Sequence, residues 1–494
     1  MRQNFPFSLQ ESKEFPADNP AAVLMSGPGG RPGCIRMRIT AQEVDSLIKW
    51  LLSKLKQWGF STSRMILLSF LFMILAGSLL LMLPISSKER IFTPFPDALF
   101  TAASASCVTG LVVRDTASYW SFFGKLVILT MIQIGGLGTM TLAILFVKLS
   151  GRRVGLKGRA TMQSAISAPH VGGIVKLTSF IVRVTIVVES AGAFLMMPVF
   201  VKEFGGPKGF AVSFFHSISA FCNAGFDLMG EKEPFSSMTA FQNNWTVTLT
   251  LVALILIGGL GFLTWDDIRC YRHRLRFYST QSKIIITASA FLIGLPFLYL
   301  YFTEFRNLPA GERFLSSLFQ AVTPRTAGFN TADYTAFSDG GIAVTIGLML
   351  IGGAPGSTAG GMKITTICVL MISMMSVFFR EKESAAFHRR IGHDVLRSAN
   401  AVFWLDAIMF AVGSLCIFHL EGVSLRAAMF ESASAVATVG LTLGITPQLG
   451  LISKLLLTAM MFFGRVGGLT LIFAAVAPTK RGNAKYPADI VTVG

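Results

Sequence analysis

From Met65 to Ser87 the chain carries no charged residue, and an apolar helix of about 20 residues crosses the roughly 30 Å of hydrocarbon in a bilayer. Similar uncharged stretches return at Leu126–Val147, Pro234–Trp265, Ile284–Thr303 and Gly340–Met362. Three more are apolar but carry one or two charges: Leu177–Val201 with Arg183 and Glu189, Ser398–Leu420 with Asp406, and Leu455–Thr479 with Arg465. Eight membrane spans are expected. Only 14% of the residues are charged, against about 25% in an ordinary soluble domain, which excludes soluble, disordered and collagen-like chains. No charged-then-apolar leader precedes the first long run.

Between alternate spans lie apolar pieces too short to cross as helices, namely Ala98–Gly110, Phe210–Gly225, Phe314–Gly328 and Ala427–Gly440. A segment that enters and cannot reach the far side must turn back. The four pieces also resemble one another, reading FTAASASCVTGL, FHSISAFCNAGF, FQAVTPRTAGF and FESASAVATVGL. Each is followed by a second echo: IGGLG at Ile134–Gly138, IGGLG at Ile257–Gly261, IGGAPG at Ile351–Gly356 and GRVGG at Gly464–Gly468. Two motifs in the same order four times define a repeat of span, re-entrant segment, span, with a period of about 110 residues. The chain then divides into an N-terminal tail with an amphipathic helix (1–63), repeat 1 (64–150), repeat 2 (151–268), repeat 3 (269–382), repeat 4 (383–478) and a C-terminal tail (479–494).

Charge sets the expected orientation. The first 64 residues, the loops 148–176, 266–283 and 380–397, and the tail after Pro478 hold 28 of the 43 Lys and Arg residues and 11 of the 26 acids, which accounts for the whole net charge of +17. By the positive-inside rule these segments face the cytoplasm. The expectation is a multi-pass protein of the cytoplasmic membrane with both termini inside and the re-entrant segments dipping in from outside. No nucleic-acid partner is needed to explain the basic balance. In the N-terminal tail, Leu47, Leu51, Leu55 and Trp58 recur at helical spacing among Lys49, Lys54 and Lys56, the pattern of a helix lying on lipid or packed on a neighbouring loop or subunit. The six cysteines form no C-x-x-C pair and the six histidines are scattered, so neither a zinc site nor a disulfide framework is signalled. His216 reads as a packing residue.

Non-helical backbone at membrane depth survives only when it is buried in protein or lines a water-filled path. Four related re-entrant segments therefore imply a pseudo-fourfold ring around an axis. A short helix ending in the membrane aims its negative carbonyl end at that axis, and the extended residues after it can turn carbonyl oxygens inward to replace an ion's water shell. Gly110, Gly225, Gly328 and Gly440 supply the backbone freedom such a turn needs. The candidate filter comprises these four with Val108, Thr109, Asn223, Ala224, Thr326, Ala327, Thr438 and Val439. None is acidic, so a cation would be held by carbonyls rather than by charged side chains, which favours a large, weakly hydrated monovalent ion such as potassium. Helix packing is the alternative use of any single glycine. It does not explain the fourfold set.

The motifs SCVTGL, FCNAGF, TPRTAGFNT and ATVGLT resemble the Trk/Ktr/HKT superfamily of potassium transporters, and the resemblance covers Met65 to about Pro478. It is closest to the bacterial Ktr-type pore-forming membrane subunit, because no additional helix pair precedes the first repeat, although the N-terminal extension is longer than that pattern. The resemblance implies an all-α integral membrane protein with four pseudo-symmetric repeats around a central ion pore. It implies potassium as the transported ion, with sodium as a coupling ion or not, and no covalently bound cofactor or resident metal. It also implies a homodimer in contact with membrane lipid, seated on a cytoplasmic ring of regulatory subunits that alone bind nucleotide. Plant relatives with serine at the first filter position favour sodium, and Gly110 here points to potassium. A sodium-selective or non-selective cation transporter of the same fold is the alternative. An intramembrane enzyme would need paired carboxylates or a Ser/His pair on facing spans, and no such constellation is recognisable.

Gly352, Gly353, Ala354, Pro355, Gly356, Ser357, Thr358, Ala359, Gly360 and Gly361 break an otherwise apolar stretch. Neither Gly nor Pro sustains a helix, so irregular backbone lying against the pore is expected. Gly356 and Gly361 have the spacing of a phosphate-binding loop, but Met362 stands where its lysine must be and the flanks are membrane spans. In the family that the chain resembles, a loop here sits beneath the filter and acts as a gate. Lys363 and Arg465 are intramembrane charges that need water or a partner. The resemblance places Arg465 in the ion path near that loop; a salt bridge with Asp406 or Glu431, or snorkelling, is the alternative. No role is assigned to Arg183, Glu189 or Asp406.

Overall fold

Serine, asparagine and proline at the starts of the apolar runs set where the helices begin. The structure is a computed structural model that describes residues 62–138, 159, 163, 173–231 and 233–475. Repeat 1 contributes α1 (Thr62–Met82), the short α2 (Phe95–Cys107) and α3 (Phe122–Leu137). Repeat 2 contributes α4 (Ile174–Phe204), the short α5 (Gly206–Phe221), α6 (Trp245–Gly259) and α7 (Phe262–Tyr271). Repeat 3 contributes α8 (Thr280–Phe302), the short α9 (Ala310–Val322), α10 (Asp339–Leu350) and α11 (Ile364–Phe378). A small hairpin, β1 (Ala385–Ala386) with β2 (Arg389–Arg390), leads to repeat 4 with α12 (His393–Glu421), the short α13 (Leu425–Val436), α14 (Leu451–Val466) and α15 (Gly468–Ala475). The side chains of Ser121, Asn244, Ser279, Ser338 and Ser424 accept from backbone N–H groups in the first turns of α3, α6, α8, α10 and α13, satisfying donors that a helix start leaves orphaned. Proline in the first turns of α2 and α5 loses no internal hydrogen bond there.

Each short helix packs on the first span of its own repeat: α2 on α1, α5 on α4, α9 on α8 and α13 on α12. Each also packs on a later span of the preceding repeat, α5 on α3, α9 on α6, α13 on α10, and α2 on α14. The last pairing joins repeat 4 to repeat 1 and closes a circle. The short helices lie inside this circle, and α2 is buried from Phe100 through Cys107. On the outside, Phe72, Val187, Phe291 and Trp404 are each more than half exposed, a surface suited to hydrocarbon and not to water. The fold is an all-α multi-pass membrane architecture.

Among the described residues, four helices, α1, α4, α8 and α12, are long and apolar enough to cross a membrane alone, and six spans result if each bent pair counts as one. The other two of the eight expected spans correspond to the shorter helices α3 and α10, and the apolar α11 falls in none of the expected spans. Several expected boundaries are corrected. Pro234–Asn244 is not part of a span but a loop with a single 3-10 turn at Thr239–Phe241. The stretches Pro234–Trp265 and Leu455–Thr479 do not run straight, because α6–α7 and α14–α15 bend by 95° and 93°. Both bends fall on glycines, Gly261 with φ 88° and Gly467 with φ 87°, a backbone region that glycine enters without a side-chain clash. The stretch Gly340–Met362 is helical only to Leu350, in keeping with the expected Gly-rich break, and α11 begins beyond its end, at Ile364. The N-terminal amphipathic helix, most of the 148–176 loop and the tail 479–494 lie outside the described residues.

Candidate functional site

At the C-terminal ends of the four short helices the backbone repeats one unusual shape. Val108, Asn223, Thr326 and Thr438 have φ of 58°, 56°, 69° and 52°, and the glycines two residues later, Gly110, Gly225, Gly328 and Gly440, have φ of 95°, 68°, 81° and 95°. Positive φ is uncommon outside glycine, so its recurrence at one motif position is a fourfold feature of the fold. A Cβ placed on Gly110 would lie 2.6 Å from Ala224 O, and one on Gly225 would lie 3.0 Å from Ala327 O. On Gly328 it would lie 2.4 Å from Val439 O, and on Gly440 2.1 Å from Thr109 O. Each glycine faces the carbonyl just before the glycine of the next repeat, and the circuit returns to its start. All twelve residues singled out in the sequence are brought together here.

Hydroxyls at the ends of the short helices hold the loops. Ser104 Oγ accepts from Gly110 N at 3.0 Å and Ser434 Oγ from Gly440 N at 2.9 Å. In the second repeat Ser219 Oγ donates to Phe226 O at 2.7 Å, and in the third Thr323 Oγ1 donates to Phe329 O. Asn223 Nδ2 reaches Thr326 Oγ1 at 3.4 Å, while Thr109 Oγ1 and Thr438 Oγ1 have no partner. Three of the four glycine echoes are also explained. A Cβ on Gly135, Gly258 or Gly464 would strike the backbone oxygen of Ser106, Phe221 or Val436 at 2.1, 2.0 or 1.9 Å. These glycines let the spans touch the carbonyl ends of the short helices.

Residues 352–361 pack against this assembly. Ala354 N donates to Gly259 O at 3.0 Å, Thr358 N to Gly258 O at 3.2 Å, and Thr358 Oγ1 to Phe221 O at 3.0 Å. Gly361 N donates to Gly464 O at 3.1 Å, and a Cβ on Gly360 would meet Thr438 Oγ1 at 1.9 Å. Arg465 does not pair with Asp406 or Glu431. Its guanidinium donates to Thr358 O and Gly135 O, and to Gly136 O at 3.2 Å, clamping the stretch to repeat 1. Lys363 Nζ donates to Ala359 O at 2.8 Å. Both cations therefore bind carbonyl oxygens and fix the Gly-rich stretch in place.

The sequence pattern left Asp97 and Arg325 unmarked and did not foresee the contacts of Glu431 and His216. Asp97, almost fully buried, bridges Arg114 and Lys454 at 2.9 Å each, tying the first short helix to the last repeat; nothing in repeat spacing signals such a clasp. Arg325, inside TPRTAGFNT, is buried with Nη2 on Ser289 Oγ at 3.1 Å and Nε unpartnered. Glu431 is buried behind the ring and accepts from Thr442 and Thr446 hydroxyls. His216 does pack, against Phe200 and Phe329, but it also accepts from Leu228 N at 3.1 Å and so anchors the second loop. Among the described residues no cluster of three His, Cys, Asp or Glu could hold a resident metal. A ring of backbone carbonyls free of charged side chains is suited to replacing the water shell of a monovalent cation.

The chain matches the TrkH family, described as a cation transport protein, over residues 48–484. It is 38% identical over 445 residues to the potassium/sodium uptake protein NtpJ of Enterococcus hirae, covering 88% of this chain and 97% of that protein. It is 36% identical over 456 residues to the Ktr system potassium uptake protein B of Bacillus subtilis, covering 91% and 99%. The fold is similar to the crystal structure of the potassium transporter TrkH from Vibrio parahaemolyticus, with a TM-score of 0.67 and 20% identity over 85% of this chain and 86% of that one.

Proposed function

The chain belongs to the TrkH family of cation transport proteins, and we propose that it is the pore-forming membrane subunit of a Ktr-type potassium uptake system. As a member of a transport family it is not an enzyme. The observation that carries the reading is the closed circuit of four glycines against four backbone carbonyls. An ion on the axis would exchange water for the carbonyls of Thr109, Ala224, Ala327 and Val439, helped by the negative ends of α2, α5, α9 and α13. Potassium surrenders its water more cheaply than sodium, so the same oxygens favour it. The names of the two relatives support this ion. Residues 352–361 with Lys363 and Arg465 act as the gate: they occupy the path below the ring and must move for an ion to pass.

The test is potassium uptake by cells lacking their own uptake systems, with and without sodium. Growth at low potassium should be restored, and a sodium dependence of the rate would identify sodium as the coupling ion. Uptake of sodium at least equal to that of potassium would replace this reading with a sodium-selective or non-selective pore, which the joint potassium and sodium name of one relative makes the second reading.

The pore subunit is proposed to work as a homodimer in the cytoplasmic membrane with both termini inside. The basic loops after Val147, Asp267 and Phe379 would form the surface that meets a ring of nucleotide-binding subunits. Gentle purification from the native membrane should recover two copies of the chain with a soluble nucleotide-binding protein. Recovery of the chain alone, with fully regulated uptake in vesicles, would contradict this.

A further inference from the structure

On α4, Lys176, Phe180, Arg183 and Val187 follow at helical spacing and share one face. α7 turns 95° away from α6 and brings Arg269 to this face, where its guanidinium carbon stands 4.7 Å over the centre of the Phe180 ring. Together with Val175 and Val184 these residues bound an open cleft of about 750 Å³. Its charge is only partly compensated. Lys176 and Arg183 have no side-chain partner among the described residues, and Arg269 pairs with a single acid, Asp266, at 3.8 Å. No Asp or Glu occurs anywhere between Asp115 and Glu189, and Glu189 is buried against Gln133.

We propose that this cleft holds the headgroup of an anionic phospholipid. The rim continues into a lipid-facing wall where Ile186 and Val187 are 59% and 62% exposed, so an acyl chain has an apolar surface to follow. Arg183 lies nine residues beyond the start of α4, about 13 Å along the axis, and a guanidinium at that depth snorkels toward the headgroup layer. The positive-inside rule accounts for basic loops. It does not account for cations from two separate helices converging beside an apolar wall, which is how a basic pocket between membrane helices recognises a lipid phosphate. The inference is independent of which ion the pore carries.

Native mass spectrometry of the delipidated full chain, titrated with dioleoyl-phosphatidylglycerol or dioleoyl-phosphatidylcholine, tests it. The anionic lipid should be retained at least about tenfold better, and Lys176→Gln, Arg183→Gln and Arg269→Gln should each cut that preference about fivefold. Arg183→Lys should keep most of it, and Arg276→Gln, an exposed cation outside the cleft, all of it. Arg269 is exposed, so its variant still reports on the cleft even if a change on α4 disturbs folding. Equal retention of the two lipids, or an equal loss with Arg276→Gln, would overturn the proposal. Displacement of the lipid by millimolar glycerol phosphate would also overturn it, in favour of a soluble anion site.

Discussion

A Gly110→Ser variant is expected to lose at least about tenfold of its preference for potassium over sodium, equivalent to about 1.4 kcal/mol. At φ 95° a residue with a side chain is strained, and its Cβ would lie 2.6 Å from Ala224 O and 3.0 Å from Gly225 Cα. Both neighbours are backbone, so relief requires the ring itself to open. The displaced carbonyl is one of the four that would dehydrate the ion, and a widened ring discriminates less between ions that differ in hydration. The comparison is Gly294→Ser, where nothing lies within 4 Å of an added Cβ and selectivity should not change. Competitive flux of the two ions reads the ratio; an unaltered ratio in Gly110→Ser would mean that Gly110 does not face the ion.

The second large effect is expected at the Gly-rich stretch. Shortening it between Gly353 and Gly360 should raise flux and leave selectivity largely intact, since selectivity is assigned to the four glycines above it. Arg465→Gln should raise flux as well, by two routes. It removes the clamp to Thr358 O, Gly135 O and Gly136 O, and it removes a fixed positive charge whose opposition to a cation about 10 Å away, at an effective dielectric of about 20, is worth roughly tenfold in rate. If the stretch only relieves helix packing, the shortened protein should instead be misfolded or inactive. Rubidium uptake into proteoliposomes, normalised to correctly inserted protein, separates these outcomes. Reduced uptake in both well-folded variants would refute the gate, and a rise in one alone would mean that loop and arginine do not act together.

Much of the architecture was legible because repetition made it so. One SCVTGL motif says little, but four related motifs at similar spacing located the short helices to within a few residues: Ala98–Gly110 became α2 with its following loop, and Phe314–Gly328 became α9 with its own. The echo IGGLG was visible as a pattern, whereas its purpose was not. Only the contact of Gly135 with Ser106 O and the turn at Gly138, φ 85°, show that one glycine permits close approach and another ends the helix. Hydropathy cannot register such a turn, because a chain bent by 95° in the membrane is as apolar as a straight one. That is why Leu455–Thr479 read as a single span and the bend within Pro234–Trp265 could not be placed. Long-range partners were hidden for a different reason. Arg465 could be identified as a buried charge, yet its choice of backbone carbonyls over Asp406 depends on how distant repeats dock. The Asp97–Lys454 clasp joins residues 357 positions apart, and no local signal announces it.

Selective transport by this ring requires a cation on the axis between the carbonyls of Thr109, Ala224, Ala327 and Val439. Anomalous diffraction from crystals soaked in thallium, a heavy analogue of potassium, measures this directly. A peak is expected within coordination distance of all four oxygens, lost when potassium is added in excess and not lost with sodium at the same concentration. Thallium absent from the ring, or bound there and displaced equally well by sodium, would contradict it.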